Sequence, residues 1–127
     1  MQKSVGYFRQ KRILSNANFL DLTPVTRHKH EEEGDGTIRL LIPRFTGALL
    51  GRWLQRKARH PYMTLSLDEY GTATWLLCDG QHTVRDICRR MKDRFGEKVH
   101  PAEDRITTFL SQLYKKKLIT FRELLEP

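Results

Sequence analysis

Turn-forming residues punctuate this chain and divide it into short segments. Gly34-Asp35-Gly36 and Asp79-Gly80 are typical of tight turns, and Pro43 cannot continue a strand ladder. The longest apolar runs, Leu40 to Ile42 and Trp75 to Cys78, are far shorter than the roughly 18 residues that a membrane span needs. The sequence therefore predicts a fold of short helices and strands with no membrane span.

The composition is that of one globular domain. The chain has 127 residues, of which 39% are hydrophobic and 30% are charged, so it is too apolar and too well mixed to be disordered. Met1 to Arg12 lacks the apolar stretch and cleavage site of a secretory signal. Cys78 and Cys88 cannot form a disulfide scaffold, and their spacing fits no zinc pattern. The cytoplasm is the expected compartment, and no metal or organic cofactor is expected.

Positive charge is concentrated in the N-terminal half. The formal net charge is +8; residues 1–60 hold 12 Lys and Arg against 5 Asp and Glu, whereas residues 61–127 hold 11 against 10. A basic chain invites a nucleic-acid partner, but the position of the charge matters more than its total.

The N-terminal half predicts a hairpin. Residues 1–23 show no sustained period and are expected to form a tail of uncertain order, held by contacts such as those of Phe19 and Leu22. A polar run from Val25 to Glu33, a glycine-containing turn and the alternating strand Thr37 to Ile42 then follow.

A basic insert, defined as residues 43–60, comes after the hairpin. Its segment 46–58 has apolar side chains at helical spacing, interrupted by glycines and flanked by cations, namely Leu49, Leu50, Trp53 and Leu54 with Gly47, Gly51, Arg52, Arg56 and Lys57. Such a helix can shield the core, lie on an anionic membrane or contact nucleic acid; a solvated basic face over a packed apolar stripe is the commonest of the three.

The C-terminal half alternates between strand and helix patterns. Tyr62 to Leu67 alternates in polarity, so we expect a strand whose odd-numbered residues share one face. Asp68 is expected to cap a helix that ends near Cys78, and Thr83 to cap, with Asp86, a helix that ends at Gly96.

A last long helix from Pro101 to Lys116 and a short strand from Leu118 to Phe121 complete the order of elements. This order predicts an α+β fold: a small antiparallel three-stranded sheet with a three-helix, winged-helix-like bundle. We expect a single domain over residues 24–121, followed by a short C-terminal tail at 122–127.

DNA binding is the main alternative function for such a fold. A helix that reads DNA should carry Lys and Arg to neutralise phosphates and meet base edges. The last long helix opens instead with Glu103 and Asp104, and its outward face offers only a weak signature, which consists of Arg105, Gln112, Lys115 and Lys116. Nucleic acid is therefore not the expected partner.

Sites for metal or catalysis are not evident. His28 and His30 share a strand face with Glu32 nearby, a conceivable metal clip that a solvated surface strand explains better. Cys78 and Cys88 fall on apolar helix faces, where free cysteine behaves as a small hydrophobe. The sequence has no nucleophile elbow, P-loop or zinc-protease motif, so we expect a protein that is not an enzyme.

The segment Leu67 to Val84 carries a specific set of residues. A leucine precedes an acidic pair, and a glycine, a tryptophan, a Leu-Cys-Asp-Gly run and a Thr-Val pair that opens the next helix follow it. This segment resembles the PqqD family, and the likeness covers roughly residues 61–121, with 24–42 fitting the family's strand pair more loosely. Physically, Gly71 would allow a close approach of helix and sheet, and Trp75 would anchor the core.

The resemblance implies a recognition element for ribosomally made, modified peptides. Proteins of this kind bind the leader segment of a precursor peptide and present it to a modifying enzyme, often a radical S-adenosylmethionine protein, without doing chemistry themselves. In the family the leader adds a strand to the sheet edge and lies against the third helix. Carried onto this sequence, the implied site is Tyr62, Met63, Thr64, Leu65 and Ser66 on the strand, with Arg105, Phe109, Gln112 and Lys116 on the helix.

Three features depart from the family pattern. Residues 1–23 and the basic insert are additional, and Lys117 stands where a glycine is common before Leu-Ile. The extra basic segments fit an acidic leader or a dedicated partner enzyme. A domain that only docks a structural partner is a third possible function.

Overall fold

A computed structural model describes residues 3–44 and 49–126, and it confirms the α+β fold with a small antiparallel three-stranded sheet. We number the helices and strands in chain order. They are α1 (Tyr7–Asn16), β1 (Pro24–Thr26), β2 (Lys29–Glu32), β3 (Ile38–Pro43), α2 (Leu49–Lys57), β4 (Tyr62–Ser66), α3 (Glu69–Leu76), α4 (Val84–Phe95), α5 (Ala102–Lys115) and β5 (Ile119–Phe121). Short 3-10 turns lie at Phe19–Asp21, Gly96–Val99 and Arg122–Leu124.

Internal contacts divide the chain into two compact units. The helical unit consists of the described residues of Met1–Arg27 and Ala73–Pro127, and the sheet unit consists of the described residues of His28–Thr72.

The sheet unit contains the antiparallel sheet β2-β3-β4. The predicted hairpin is confirmed for β2 and β3, which pair with Leu40 opposite His30. In its turn Gly36 has a φ of 87°, a conformation that suits glycine, and the Thr37 hydroxyl donates to Asp35 at 2.6 Å. The predicted third strand is also confirmed, since β4 pairs with the other side of β3.

Helix α2 connects β3 to β4 and confirms a helix within the basic insert. It spans Leu49–Lys57, and the expected start at residue 46 and Gly47 lie outside the described residues. The Arg44 N–H donates to the Pro61 carbonyl at 2.9 Å, and Gln55 Nε2 donates to the same carbonyl at 2.6 Å. The bond from Gln55 holds α2 at the residue before β4, and the bond from Arg44 continues the pairing of β3 with β4.

The predicted single strand arm from Val25 to Glu33 is wrong, because two separate strands occupy it. Pro24–Thr26 pairs with β5 in the helical unit, and only Lys29–Glu32 pairs with β3. The Thr26 N–H donates to the Cys78 carbonyl and the Arg27 N–H to the Leu118 carbonyl, which commits the first piece to the helical unit. β1 is half-buried or buried, whereas β2 is exposed throughout.

The N-terminal residues contain a helix that the sequence does not predict. The Val5 N–H donates to the Leu124 carbonyl and the Glu126 N–H to the Lys3 carbonyl, both at 2.7 Å, so contacts with the C-terminal segment hold this region. Phe19 and Leu22 make the expected contacts: Phe19 stacks edge-on against Phe121 at 5.6 Å, and Leu22 is buried. α1 lacks a strong apolar period because most of its side chains are exposed.

The core of the helical unit includes buried side chains of α4 and α5 together with Trp75 of α3. The buried apolar side chains of α4 and α5 fall at the predicted helical spacing and are Val84, Ile87, Cys88, Met91, Ile106, Leu110 and Leu113. Thr83 Oγ1 accepts from the Asp86 N–H at 3.1 Å, which confirms the N-cap, although the Asp86 carboxylate binds Arg89 and Arg90 instead of closing a reciprocal box. Pro101 immediately precedes α5, one position before its expected place. Trp75 is 1% exposed, so it is a core residue as predicted.

We expect Trp75→Ala to lower the free energy of unfolding by about 3 to 5 kcal/mol, because it leaves a large cavity in the core. Leu76→Ala is a matched control, since the neighbouring side chain is 52% exposed, and it should cost less than about 0.5 kcal/mol. Urea denaturation followed by circular dichroism measures both values. Equal losses for the two variants would contradict the core position of Trp75.

The end of α5 places Lys117 in a backbone conformation that suits glycine. Lys117 has a φ of 62°, its N–H donates to the Tyr114 carbonyl at 3.0 Å, and the Leu118 N–H donates to the Leu113 carbonyl at 2.9 Å. This is the Schellman arrangement that ends many helices, in which glycine adopts the left-handed conformation without a Cβ clash.

Lys117→Gly should therefore raise the free energy of unfolding by about 0.5 to 1 kcal/mol, the strain relieved minus the added freedom of the unfolded chain. Lys115→Gly, within the helix, should lower it by about 1 kcal/mol. Denaturation of both variants checks the pair, and a stability loss in Lys117→Gly would contradict the assignment of strain.

Candidate functional site

The most distinctive surface of the sheet unit is the outer edge of β4. β4 has β3 as its only strand neighbour among the described residues, and all five of its residues are exposed. An edge of this kind presents unpaired backbone donors and acceptors, which makes it a template for pairing with another chain.

The register of β4 determines which backbone groups face outward. The Leu67 N–H donates to the Ile38 carbonyl, and the Arg44 N–H donates to the Pro61 carbonyl, so these directly opposite residues are hydrogen-bonded pairs. Such pairs alternate with non-bonded pairs in an antiparallel ladder. Met63 and Leu65 therefore bond to β3, whereas Tyr62, Thr64 and Ser66 direct their N–H and C=O groups to the free edge.

The side chains of β4 divide into two faces, as the alternation predicts. Leu65 lies directly opposite Leu40, and Met63 lies opposite Ile42, so these four apolar side chains share a face. Leu40 is 0% exposed, but Leu65 is 37% and Met63 is 50% exposed. The apolar face of the sheet is thus buried along its middle strand and open at β4.

The two ends of β4 differ in charge. At the Tyr62 end lie Arg44, which bonds to Pro61, and the basic helix α2, which Gln55 ties to the same carbonyl. At the other end Ser66 Oγ donates to a Glu33 carboxylate oxygen at 2.8 Å. A chain lying along this edge would meet cations first and a carboxylate last.

The remaining predicted site residues lie on α5, in the helical unit. Arg105, Phe109, Gln112 and Lys116 follow one another at steps of four, three and four residues, so they share one face at the helix and its C-cap. Phe109 is half-buried, and the other three are exposed. Arg105 Nη1 donates to the Lys98 carbonyl at 2.9 Å. The assignment of these four residues to a binding site stays a prediction.

One histidine with two aspartates, a group that the sequence did not indicate, lies between α3 and α4. His82 Nδ1 is 3.0 Å from Asp79 Oδ1, and His82 Nε2 is 3.9 Å from Asp86 Oδ2. In the sequence, His82 follows Asp79 by three residues and precedes Asp86 by four, and this spacing could have indicated the contacts. Within residues 3–44 and 49–126 no group of three or more His, Cys, Asp or Glu side chains could hold a metal ion, so this cluster joins a loop to a helix start.

The pKa values of both cysteine thiols are raised above the ordinary value. Burial, reinforced by the nearby Asp79 charge, raises the pKa of Cys78 to about 12, and burial followed by the Glu103 charge raises the pKa of Cys88 to about 11. Because the thiolate is the nucleophile, neither side chain is suited to catalysis at neutral pH.

This geometry defines a small α+β protein with a free, partly apolar edge strand. A family model described as Coenzyme PQQ synthesis protein D (PqqD) matches residues 61–119, from the residue before β4 to the first residue of β5. Residues 61–119 therefore form a PqqD-family region, which confirms the resemblance seen in the sequence. Comparison with curated proteins found no match, and neither did comparison with solved structures.

The description of this family model names the synthesis of coenzyme PQQ, and the match covers 59 of the 127 residues. No helix among the described residues is both long and apolar enough to cross a membrane.

We expect iodoacetamide at pH 8.5 to label Cys78 and Cys88 at least about tenfold more slowly in the folded protein than in urea, because the folded thiols keep their protons. Mass spectrometry of tryptic peptides follows each cysteine separately. Both thiols keep their protons in the folded state at pH values where an ordinary thiol, with a pKa of 9.0, loses its proton. The free energy of unfolding should therefore fall as the pH rises above 9.0. Equal labelling rates would show that a thiol is accessible and ionised.

Proposed function

We propose that this protein captures the leader segment of a ribosomally made precursor peptide as an added strand on β4 and presents it to a modifying enzyme. The observation that carries the proposal is the outward direction of the Tyr62, Thr64 and Ser66 backbone groups on an exposed edge strand. The family match supports the pathway, and the free edge supports the mode of binding.

Strand addition divides affinity and selectivity between backbone and side chains. Main-chain hydrogen bonds to Tyr62, Thr64 and Ser66 hold any extended peptide, and pockets for alternate side chains select among peptides. Met63 and Leu65 offer an apolar surface that continues the buried face of β3. A client with apolar side chains at every second position would cover this surface and extend the sheet by one strand.

The protein would act by binding and positioning, without a chemical step of its own. A leader held as a strand leaves the rest of the precursor free to reach the active site of an enzyme, and a radical S-adenosylmethionine enzyme or another peptide-modifying enzyme is the proposed partner. DNA binding is the less favoured function, because the first turn of α5 presents exposed Glu103 and Asp104, which repel phosphates.

Selection from a displayed library of random 14-residue peptides on the full chain supplies a defined ligand. We expect Thr64→Pro to weaken binding of the selected peptides at least about tenfold, because proline removes one N–H donor at the free edge and leaves the bonds to β3 intact. Fluorescence anisotropy with labelled peptides measures the affinity.

The opposite edge of the same sheet offers a matched control. Residues 31 and 33 bond to β3, so the Glu32 N–H faces outward from β2, as the Thr64 N–H does from β4. Glu32→Pro should fold equally well, judged by circular dichroism, and bind as wild type. Equal binding by the two proline variants would refute strand addition to β4.

A further inference from the structure

We propose that the peptide that pairs with β4 carries a cluster of acidic side chains at its end beside Tyr62, and that the cations of the basic insert bind this cluster. The inference rests on the proposed function and names the charge pattern of its client.

The sequence around β4 is unusually one-sided in charge. Residues 36–67 contain six Lys and Arg and no Asp or Glu. Five of these cations lie in the connection between β3 and β4 and are exposed, namely Arg44, Arg52, Arg56, Lys57 and Arg59. Within the described part of the chain none of the five forms an ion pair, so their charge is available to a partner.

The cations of α2 share one face with an aromatic side chain. Arg52 lies one turn before Arg56, and Trp53 lies one turn before Lys57, so the four side chains form two adjacent rows. Trp53 is 50% exposed, whereas Leu54 and Gln55, on the other side of the helix, are half-buried. The exposed face thus combines three positive charges with an indole.

Hydrogen bonds to the Pro61 carbonyl place α2 at the end of the proposed client site that lies beside Tyr62. Gln55 Nε2 and the Arg44 N–H both donate to the Pro61 carbonyl, one residue before β4 begins. Arg59 lies two residues before Pro61 in the chain. A peptide that follows β4 past Tyr62 would therefore reach the basic insert next.

The opposite end of β4 has the opposite charge. Glu33 accepts a hydrogen bond from Ser66 Oγ at 2.8 Å, and the exposed Asp68 and Glu69 come just after the strand. The two ends are separated by about 13 Å of strand, which exceeds the screening length of about 8 Å at physiological salt. An acidic cluster is therefore attracted at the Tyr62 end and repelled at the Ser66 end.

A peptide suits this surface better than an anionic membrane does. α2 has nine residues, or about 13 Å of helix, and among residues 51–57, whose exposure the structure describes, Trp53 is the single exposed large apolar side chain. Binding to a bilayer surface grows with the apolar area that the helix can insert, and one indole supplies little. Acidic side chains flanking a paired strand need only charge contacts.

The test selects the library of random 14-residue peptides in parallel on the wild type, on Arg52→Glu/Arg56→Glu and on a control, Lys11→Glu/Arg12→Glu. The control makes the same change in net charge at exposed positions of α1. We expect wild type and control to enrich peptides that combine alternating apolar residues with Asp or Glu at one end. Arg52→Glu/Arg56→Glu should enrich peptides that have alternating apolar residues but no Asp or Glu at one end.

Synthetic versions of the enriched peptides should bind the α2 variant about tenfold more weakly than the control in low salt, because two charge contacts are lost and replaced by repulsion. The difference should disappear in 0.5 M sodium chloride, since exposed charges are screened. A nitroxide at the acidic end of the peptide should broaden the amide signals of α2 more than those of Asp68 and Glu69.

The remaining outcomes distinguish failure of this inference from failure of the proposed function. Enriched peptides that alternate but have no acidic end, or that lose affinity equally for both charge variants, would overturn the inference and leave strand addition intact. Peptides whose binding survives Met63→Ser/Leu65→Ser would overturn the proposed function. Binding of wild type, but not of the α2 variant, to phosphatidylserine vesicles, with no acidic excess in the peptides, would assign the basic face to a membrane.

Discussion

The antiparallel pairing of β4 with β3 is the constraint on which the candidate site depends. Even-numbered residues of β3 bond to β4 and odd-numbered residues bond to β2, so the middle strand is satisfied on both sides. The outward groups of Tyr62, Thr64 and Ser66 are left for another chain. A slip of one residue would also turn Met63 and Leu65 to the other face, so the same register determines both the hydrogen-bonding edge and the apolar surface.

The charges along this sheet differ between β2, which is acidic, and the connection that leads into β4, which is basic. Glu31 and Glu32 lie on β2, where Glu31 pairs with Arg39 at 3.0 Å, whereas the connection between β3 and β4 is basic. In a parallel pairing of two identical β4 edges these cations would meet like charges, which disfavours that arrangement. The same cations favour an acidic client.

The sequence predicted the long elements well and the short ones poorly. The strand at 62–66 and the helices α4 and α5 have strong periods, and Asp68 and Thr83 accept the capping bonds expected of them. β1 has only three residues, too few for a period, and its pairing with β5 joins segments almost a hundred residues apart. α1 has little apolar period because its side chains are mostly exposed, and backbone bonds to Leu124 and Glu126 hold the segment before it.

Alternation in Tyr62 to Leu67 was sufficient to determine which side chains of β4 share a face, and the residues around Trp75 were sufficient to indicate the family. Alternation cannot say on which side of a strand its neighbour lies, because hydrogen bonding is perpendicular to the side-chain direction. Only the tertiary structure, through the bond from the Leu67 N–H to the Ile38 carbonyl, decided that the backbone N–H and C=O groups of the even-numbered residues of β4 point to the free edge. It also decided that the basic insert lies beside Tyr62, since the bond from Gln55 to Pro61 is a contact that no local pattern encodes.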